Sequence, residues 1–142
     1  MFLGTYEYKV DNKGRLPLPP KFRQEFPDGL IATQGIETCI VVYQASVFQK
    51  GAGPLATEEI IENEKQRRLK RATFANAIHL TLDKQGRIAL AVSLKEHAKI
   101  KDVAIIVGVG DRIELWNPEL WYIEKLEAEG QSPENMESLK VQ

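Results

Sequence analysis

One cysteine, two histidines and a net charge of only −1 over 142 residues leave little room for several classes of function. The lone Cys39 excludes an intrachain disulfide. Inside the apolar run Thr38–Tyr43 it reads as a small buried hydrophobe in a reducing, cytoplasmic compartment. Cys39, His79 and His97 fit no nucleophile–base pair and no zinc-ligand spacing. The expectation is therefore no catalysis, no metal, no cofactor and no small-molecule substrate. The longest apolar stretch, Val103–Val109, is far too short to span a bilayer. Met1-Phe2-Leu3-Gly4 runs at once into Glu7, Lys9 and Asp11, which is no signal peptide, so no membrane association is expected.

The near-zero net charge hides a segregation. Between Lys65 and Lys101 ten Lys or Arg face two acids, Asp83 and Glu96, whereas from Asp102 onward nine acids face Arg112, Lys125 and Lys140. Such charges can simply solvate surfaces and pair with one another. They also allow a neutral protein to present one basic face.

What the chain does have is repetition. Asp11-Asn12-Lys13-Gly14-Arg15-Leu16 returns as Asp83-Lys84-Gln85-Gly86-Arg87-Ile88, and Tyr6, Tyr8, Val10 and Leu18 return as Ile78, Leu80, Leu82 and Leu90. One residue out of step, Gly35, Ile40, Tyr43 and Phe48 are answered by Gly108, Ile113, Trp116 and Trp121. A tandem duplication of one small module explains this, with the two copies sharing a core that neither could build alone. Two equivalent polar turns suit a two-fold or repetitive partner better than one catalytic pocket.

Each module reads as strand, polar turn, strand, short helix and hairpin. Tyr6, Tyr8 and Val10 alternate with Glu7 and Lys9, the period of a half-buried strand, and the alternation resumes after the turn through Leu16 and Leu18. Pro19-Pro20 starts the first helix, with Phe22 and Phe26 on one face. Ser93, three residues before Glu96, suggests a capping box for the second, with Leu94 and Ala98 facing the core. Gly35, Gly108 and Gly110 mark hairpin turns. The expected division is module 1 over 1–48, a connecting loop and helix over 49–75, module 2 over 76–121, and a helix end and flexible tail over 122–142. The connecting helix spans Thr57–Arg71, acids first and bases last, with a thin apolar face of Ile60, Ile61 and Leu69. Asn117-Pro118 opens a last helix carrying Leu120, Trp121, Ile123 and Leu126.

In each turn Asp11 or Asp83 accepts backbone N–H bonds, and Gly14 or Gly86 supplies the positive φ that closes the reversal. Arg15 and Arg87 then leave the turn beside Lys13 and Lys84, a cationic fork with backbone donors nearby, suited to phosphates and guanine edges. The competing reading is that each Asp–Arg pair only stiffens its own turn. A stiffened turn does not need Arg at the same place twice.

Asp-x-Lys-Gly-Arg-Leu-x-x-Pro near the start, Leu-Asp-x-Gln-Gly-Arg-Ile, and Val-Gly-Val-Gly-Asp-Arg-Ile-Glu-Leu-Trp together resemble the MraZ family of bacterial transcriptional regulators, over about Met1 to Trp121. The resemblance implies a mainly β fold with short helices (α+β): two AbrB-like, swapped-hairpin modules packed into one pseudo-two-fold barrel. It also implies ring-like homo-oligomers, associated with the nucleoid. These would bind double-stranded DNA at short direct repeats in the promoter of a cell-division and cell-wall operon, their own gene included. The family's Asp-x-x-x-Arg signatures fall on Asp11 with Arg15 and on Asp83 with Arg87. Ala91-Val92 stands where the family has a proline near the helix start. The rival to a DNA-binding role is a homo-oligomeric assembly or adaptor protein anchored through Tyr43, Trp116 and Trp121.

Overall fold

The structure, a computed structural model, describes residues 1–50 and 63–130. Its elements in chain order are β1 (Thr5–Lys9), β2 (Arg15–Pro17), α1 (Pro20–Arg23), β3 (Leu30–Gln34), β4 (Ile40–Gln44), α2 (Ala45–Gln49), α3 (Glu64–Ala75), β5 (Ile78–Leu80), β6 (Arg87–Ala89), α4 (Val92–Ala98), β7 (Val103–Gly108), β8 (Ile113–Trp116) and α5 (Pro118–Ala128). The protein is mainly β with short helices, as the alternation predicts.

All strand pairing is antiparallel. Six strands form one sheet in the order β1-β7-β8-β4-β3-β5, and β2 with β6 forms a separate two-stranded ribbon. Exchanging β1 with β5, β3 with β7 and β4 with β8 turns the order into its own reverse. The duplication is thus a pseudo-two-fold of the sheet, and it holds residue by residue. Tyr6 stands opposite Ile106 as Ile78 stands opposite Ala32, and Leu16 meets Ile88 at the centre of the ribbon. This register displaces β7 from β3 by 74 positions and β8 from β4 by 73. The single out-of-step residue expected from sequence is therefore two residues gained before β7 and one lost in the following hairpin.

The pairing differs from the sequence reading in one important way. The strands on either side of each polar turn do not pair with each other: β1 pairs with β7, β5 with β3, and β2 with β6. The ribbon and the β1–β7 pair each join one module to the other, so neither module buries its apolar face without its partner. The sheet is also open rather than a closed barrel, since its hydrogen-bonded order ends at β1 and β5.

Period-2 alternation sends one face of the six strands inward. Leu30, Ala32, Ile40, Val42, Ala104, Ile106, Ile113 and Leu115 are all fully buried there, against Leu16 and Ile88 of the ribbon and Leu94 and Ala98 of α4. Burying one such Leu or Ile contributes about 1.5–3 kcal/mol relative to exposing it. Phe2, Phe22, Phe26 and Tyr6 close one end of this core, with ring centroids 5.2–5.4 Å apart. The outer face carries Cys39, Val41, Tyr43, Ile105, Val107 and Trp116, packed against Phe48, Leu120 and Trp121. Helices α2, α3 and α5 supply this cover.

Several local expectations are revised. A short helix, α2, follows β4 where the sequence suggested only a connection. The connecting helix runs to Ala75, past Arg71, and starts on a capping box of Asn63 with Gln66; the part expected over 57–62, with Ile60 and Ile61, lies outside the described residues. The α3 helix docks by a buried hydrogen bond from the Thr33 hydroxyl to the Thr73 carbonyl. Ser93 does not cap α4. The N-cap is Ala91, with no side-chain bond, at the position equivalent to Pro19 before α1, so both helices begin at the same point of the repeat without a second proline. Asn117 does cap α5, accepting from Glu119 and Leu120 N–H. Gly108 is not a turn residue: the backbone of Phe2 and Leu3 crosses over it, where an added Cβ would lie 2.5 Å from Leu3 N. The expected tail, residues 131–142, lies outside the described residues.

Candidate nucleic-acid interface

The pairing of β2 with β6 brings the two polar turns together at one end of the molecule. Asp11 Oδ1 accepts from the N–H groups of Lys13 and Arg15, both at 2.9 Å, and Oδ2 accepts from Arg15 Nε at 2.6 Å. The second turn repeats this, with Asp83 Oδ1 accepting from Gln85 N–H (2.8 Å) and Arg87 N–H (2.9 Å), and Oδ2 from Arg87 Nε (2.8 Å). Gly14 at φ 76° and Gly86 at φ 74° occupy the left-handed region that favours glycine. The turns also hold each other: Leu18 N–H donates to the Gly86 carbonyl and Leu90 N–H to the Gly14 carbonyl.

Leu16 and Ile88 point inward from the ribbon and are fully buried, so by alternation Arg15 and Arg87 lie on its outer face, one on each side of the pseudo-dyad. Each guanidinium is hydrogen-bonded to its Asp through Nε alone. Its terminal Nη groups make no hydrogen bond among the described residues, although Arg87 Nη1 lies 3.9 Å from Asp11. Bracing the turn and reading a partner are therefore compatible roles for one arginine. The Asp takes the Nε of a planar fork, and the paired Nη groups are the edge that can take a guanine or a phosphate bidentately.

Lys13 and Lys84 are both exposed, but they are not equivalent. Lys13 is the third residue of its turn and corresponds to Gln85, whereas Lys84 is the second and corresponds to Asn12. Most of the expected backbone donors are taken up, because the N–H groups of Lys13, Gly14 and Arg15, and of Gln85, Gly86 and Arg87, are spent inside the turns. Side-chain cations are the main donors that the surface offers.

Two further cations escaped the sequence reading. Arg23, at the end of α1, donates from Nε to the Leu18 carbonyl at 2.9 Å and lies against the second turn, where its guanidinium occupies the space a Cβ on Gly86 would need. Lys95 of α4 approaches the first turn, its Nζ 3.8 Å from where a Cβ on Gly14 would stand. The 72-residue offset that pairs the turns also pairs Arg23 with Lys95, which was the available signal. Each turn thus gains a third cation, and it comes from the opposite module.

The two histidines and Cys39 are accounted for elsewhere. His79 Nε2 lies 3.1 Å from the Asp28 carbonyl and His97 Nε2 3.1 Å from the Glu37 carbonyl. Cys39 is fully buried, and desolvation pushes its thiol up, away from the reactive thiolate. No group of three or more His, Cys, Asp or Glu that could hold a metal occurs among the described residues. No described helix is long and apolar enough to cross a membrane.

The family model described as "MraZ protein, putative antitoxin-like" matches the chain twice, over residues 1–72 and 73–140. The chain belongs to the MraZ family. It is 46% identical over 121 residues to the transcriptional regulator MraZ of Nocardioides sp., covering 84% of this chain and 83% of that one. It is 40% identical over 141 residues to the transcriptional regulator MraZ of Dehalococcoides mccartyi, covering 99% of each. The Lactobacillus johnsonii transcriptional regulator MraZ is 41% identical over 121 residues, 85% of this chain and 84% of that one. These MraZ relatives are named for regulation and not for a reaction, in line with the expectation of a non-enzyme. The two family matches also meet between the polar turns, so each MraZ repeat carries one Asp-x-x-Gly-Arg.

The turn chemistry has a pH signature. The Arg15 N–H bond, foremost, pulls the Asp11 carboxyl down from 3.8 to about 2, and the Arg87 N–H bond likewise lowers Asp83. Because the folded values lie below the unfolded ones, both turns are fully held above about pH 4. They loosen only as pH falls through the depressed values. Titrating the side-chain carboxyl carbons by NMR should give a midpoint near 2 for Asp11 and a lowered one for Asp83. An ordinary carboxylate midpoint at both would mean that the turns are open in solution.

Proposed function

We propose that this chain is a sequence-specific transcription regulator that binds double-stranded DNA through its paired turns. Arg15 and Arg87 read base edges, and Lys13 and Lys84 hold the flanking phosphates. The sites read are short direct repeats in the promoter of a cell-division and cell-wall operon that includes the regulator's own gene. The chain works as a closed, ring-like homo-oligomer of more than two subunits, with the strands exchanged between modules forming the AbrB-like swapped-hairpin unit.

The observation that carries the reading is the pair of guanidinium groups on one ribbon, each fixed by an Asp through Nε, with Nη ends that make no hydrogen bond among the described residues. Guanine offers O6 and N7 side by side in the major groove, and a bidentate Arg contact is the commonest way to read them. A two-stranded ribbon has the width to enter that groove. The adaptor reading is weakened by burial of two of its three anchors, since Tyr43 is 3% and Trp116 4% exposed, while Trp121 is half-buried. Selection from random duplexes followed by footprinting is the direct test. The expected result is one short motif recovered repeatedly, and protected as separate boxes in a single promoter. Binding without any shared motif would rule out base reading.

A further inference from the structure

The paired turns obey the pseudo-two-fold, but the surface beside them does not. Between Arg23 and Leu30, module 1 reads Gln-Glu-Phe-Pro-Asp-Gly, with two carboxylates and no cation. The corresponding stretch of module 2, from Glu96 to Val103, has two carboxylates as well, Glu96 and Asp102, but adds Lys99 and Lys101. There the end of α4 and the following loop form an open groove of about 590 Å³, whose lining includes Lys95, Glu96, Lys99 and Lys101 with the apolar Val92 and Ile100. Its backbone is fixed. Lys99 stands at φ 57°, Ile100 N–H donates to the Lys95 carbonyl at 2.9 Å, and Asn117 Nδ2 donates to the Lys99 carbonyl at 2.8 Å. None of the three lysines forms an ion pair among the described residues.

We propose that this groove is a second DNA contact, a seat for backbone phosphates just outside the box, and that it sets the direction in which each chain lies on its box. The inference rests on the DNA-binding reading above. The occupant is argued from continuity and charge. Lys95 lies beside the Gly14 turn and also lines the groove, so the first turn and the groove with Lys99 and Lys101 share one cation. Beyond Arg23, the cation at the second turn, the stretch to Gly29 carries Glu25 and Asp28 and no lysine, and the one further cation of α1, Lys21, lies before Arg23. A chain whose turns alone touched DNA would fit a box equally well in either orientation, apart from the small differences within the turns. One flanking phosphate seat breaks that degeneracy, and repeated boxes are then read in the same direction.

Ethylation interference on the full chain, with a duplex carrying the boxes that selection recovers, tests both parts. The expected pattern is interference at phosphates beyond one end of every box, always the same end, and none beyond the other. Lys99→Asn with Lys101→Gln should erase that flanking interference and keep the preference for the box over a random-sequence duplex. It should also flatten the dependence of log affinity on log salt by about 0.9 for each phosphate no longer neutralised, about 1.8 for two. Asn tolerates the left-handed backbone of residue 99. Should the double variant melt early, Lys101→Gln alone carries the test with half the slope change. Interference that is symmetric about the box, or a variant with an unchanged pattern and slope, overturns the groove while the function stands. If the unmodified chain binds neither duplex, the function falls and the groove with it.

Discussion

Replacing Arg15 and Arg87 together by alanine is expected to leave a folded oligomer that no longer distinguishes its DNA boxes. A bidentate arginine–guanine contact is worth about 1–3 kcal/mol of discrimination, so two per chain amount to about 30-fold to 10⁴-fold before any multiplication across subunits. The stability cost should be small by comparison. Each Arg–Asp pair is partly exposed, with Arg15 at 35% and Arg87 at 24%, and exposed pairs contribute at most about 1 kcal/mol. The backbone bonds that Asp11 and Asp83 accept survive the substitution, so the turns keep their shape. Lys13→Ala or Lys84→Ala should behave differently, weakening binding to every sequence and lowering the salt slope by about 0.9. Melting temperature, light scattering and competition binding separate these outcomes. A folded double arginine variant with normal affinity and sequence preference would make both turns purely structural.

The turns themselves were legible because their chemistry is local. An Asp that accepts from residues two and four ahead, a glycine at positive φ, and an arginine at the base of the next strand lie within five positions, and the repeat states the pattern twice. The inward faces of β1 and α4 were legible for the same reason, since periodicity is a property of one segment. Pairing is not. Nothing in the alternation of Thr5–Lys9 says that its partner is β7, a strand of the other module. Reading each polar turn as joining two paired strands was the natural local inference, and tertiary exchange overrode it.

Arg23 and Lys95 were missed for a related reason. Each serves a turn far from it in sequence, so only the assembled pseudo-two-fold brings cation and turn together. The capping box at Ser93 failed through competition rather than ignorance of the rule. Starting α4 at Val92 lets Leu94 and Ala98 reach the core in the same frame as Phe22 in α1, and burial of those side chains outweighs a cap worth about 1 kcal/mol. The α2 helix is five residues long with no side-chain cap, so its sequence carried no start signal to find.

The second large effect is expected from the DNA rather than the protein. On the proposed reading one chain presents only two arginines and a few lysines to a single box, and such an interaction alone is expected to be weak. A closed oligomer turns every binding event after the first into an intramolecular one, which can raise apparent affinity by about 10² to 10⁴ without any new interaction. The apolar surface for such association is present on the helices that cover the outer face, with Phe74 51%, Tyr122 63% and Ile123 58% exposed. DNA carrying several boxes at their natural spacing should therefore bind about 10² to 10⁴ times more tightly than DNA carrying one. Inserting about half a helical turn, roughly 5 base pairs, between boxes should remove most of the gain, because the second box then faces away from the protein. Light scattering at low micromolar concentration supplies the matching control, and a monomer there would leave no ring to confer avidity. Equal affinity for one box and for several would show that each chain acts alone.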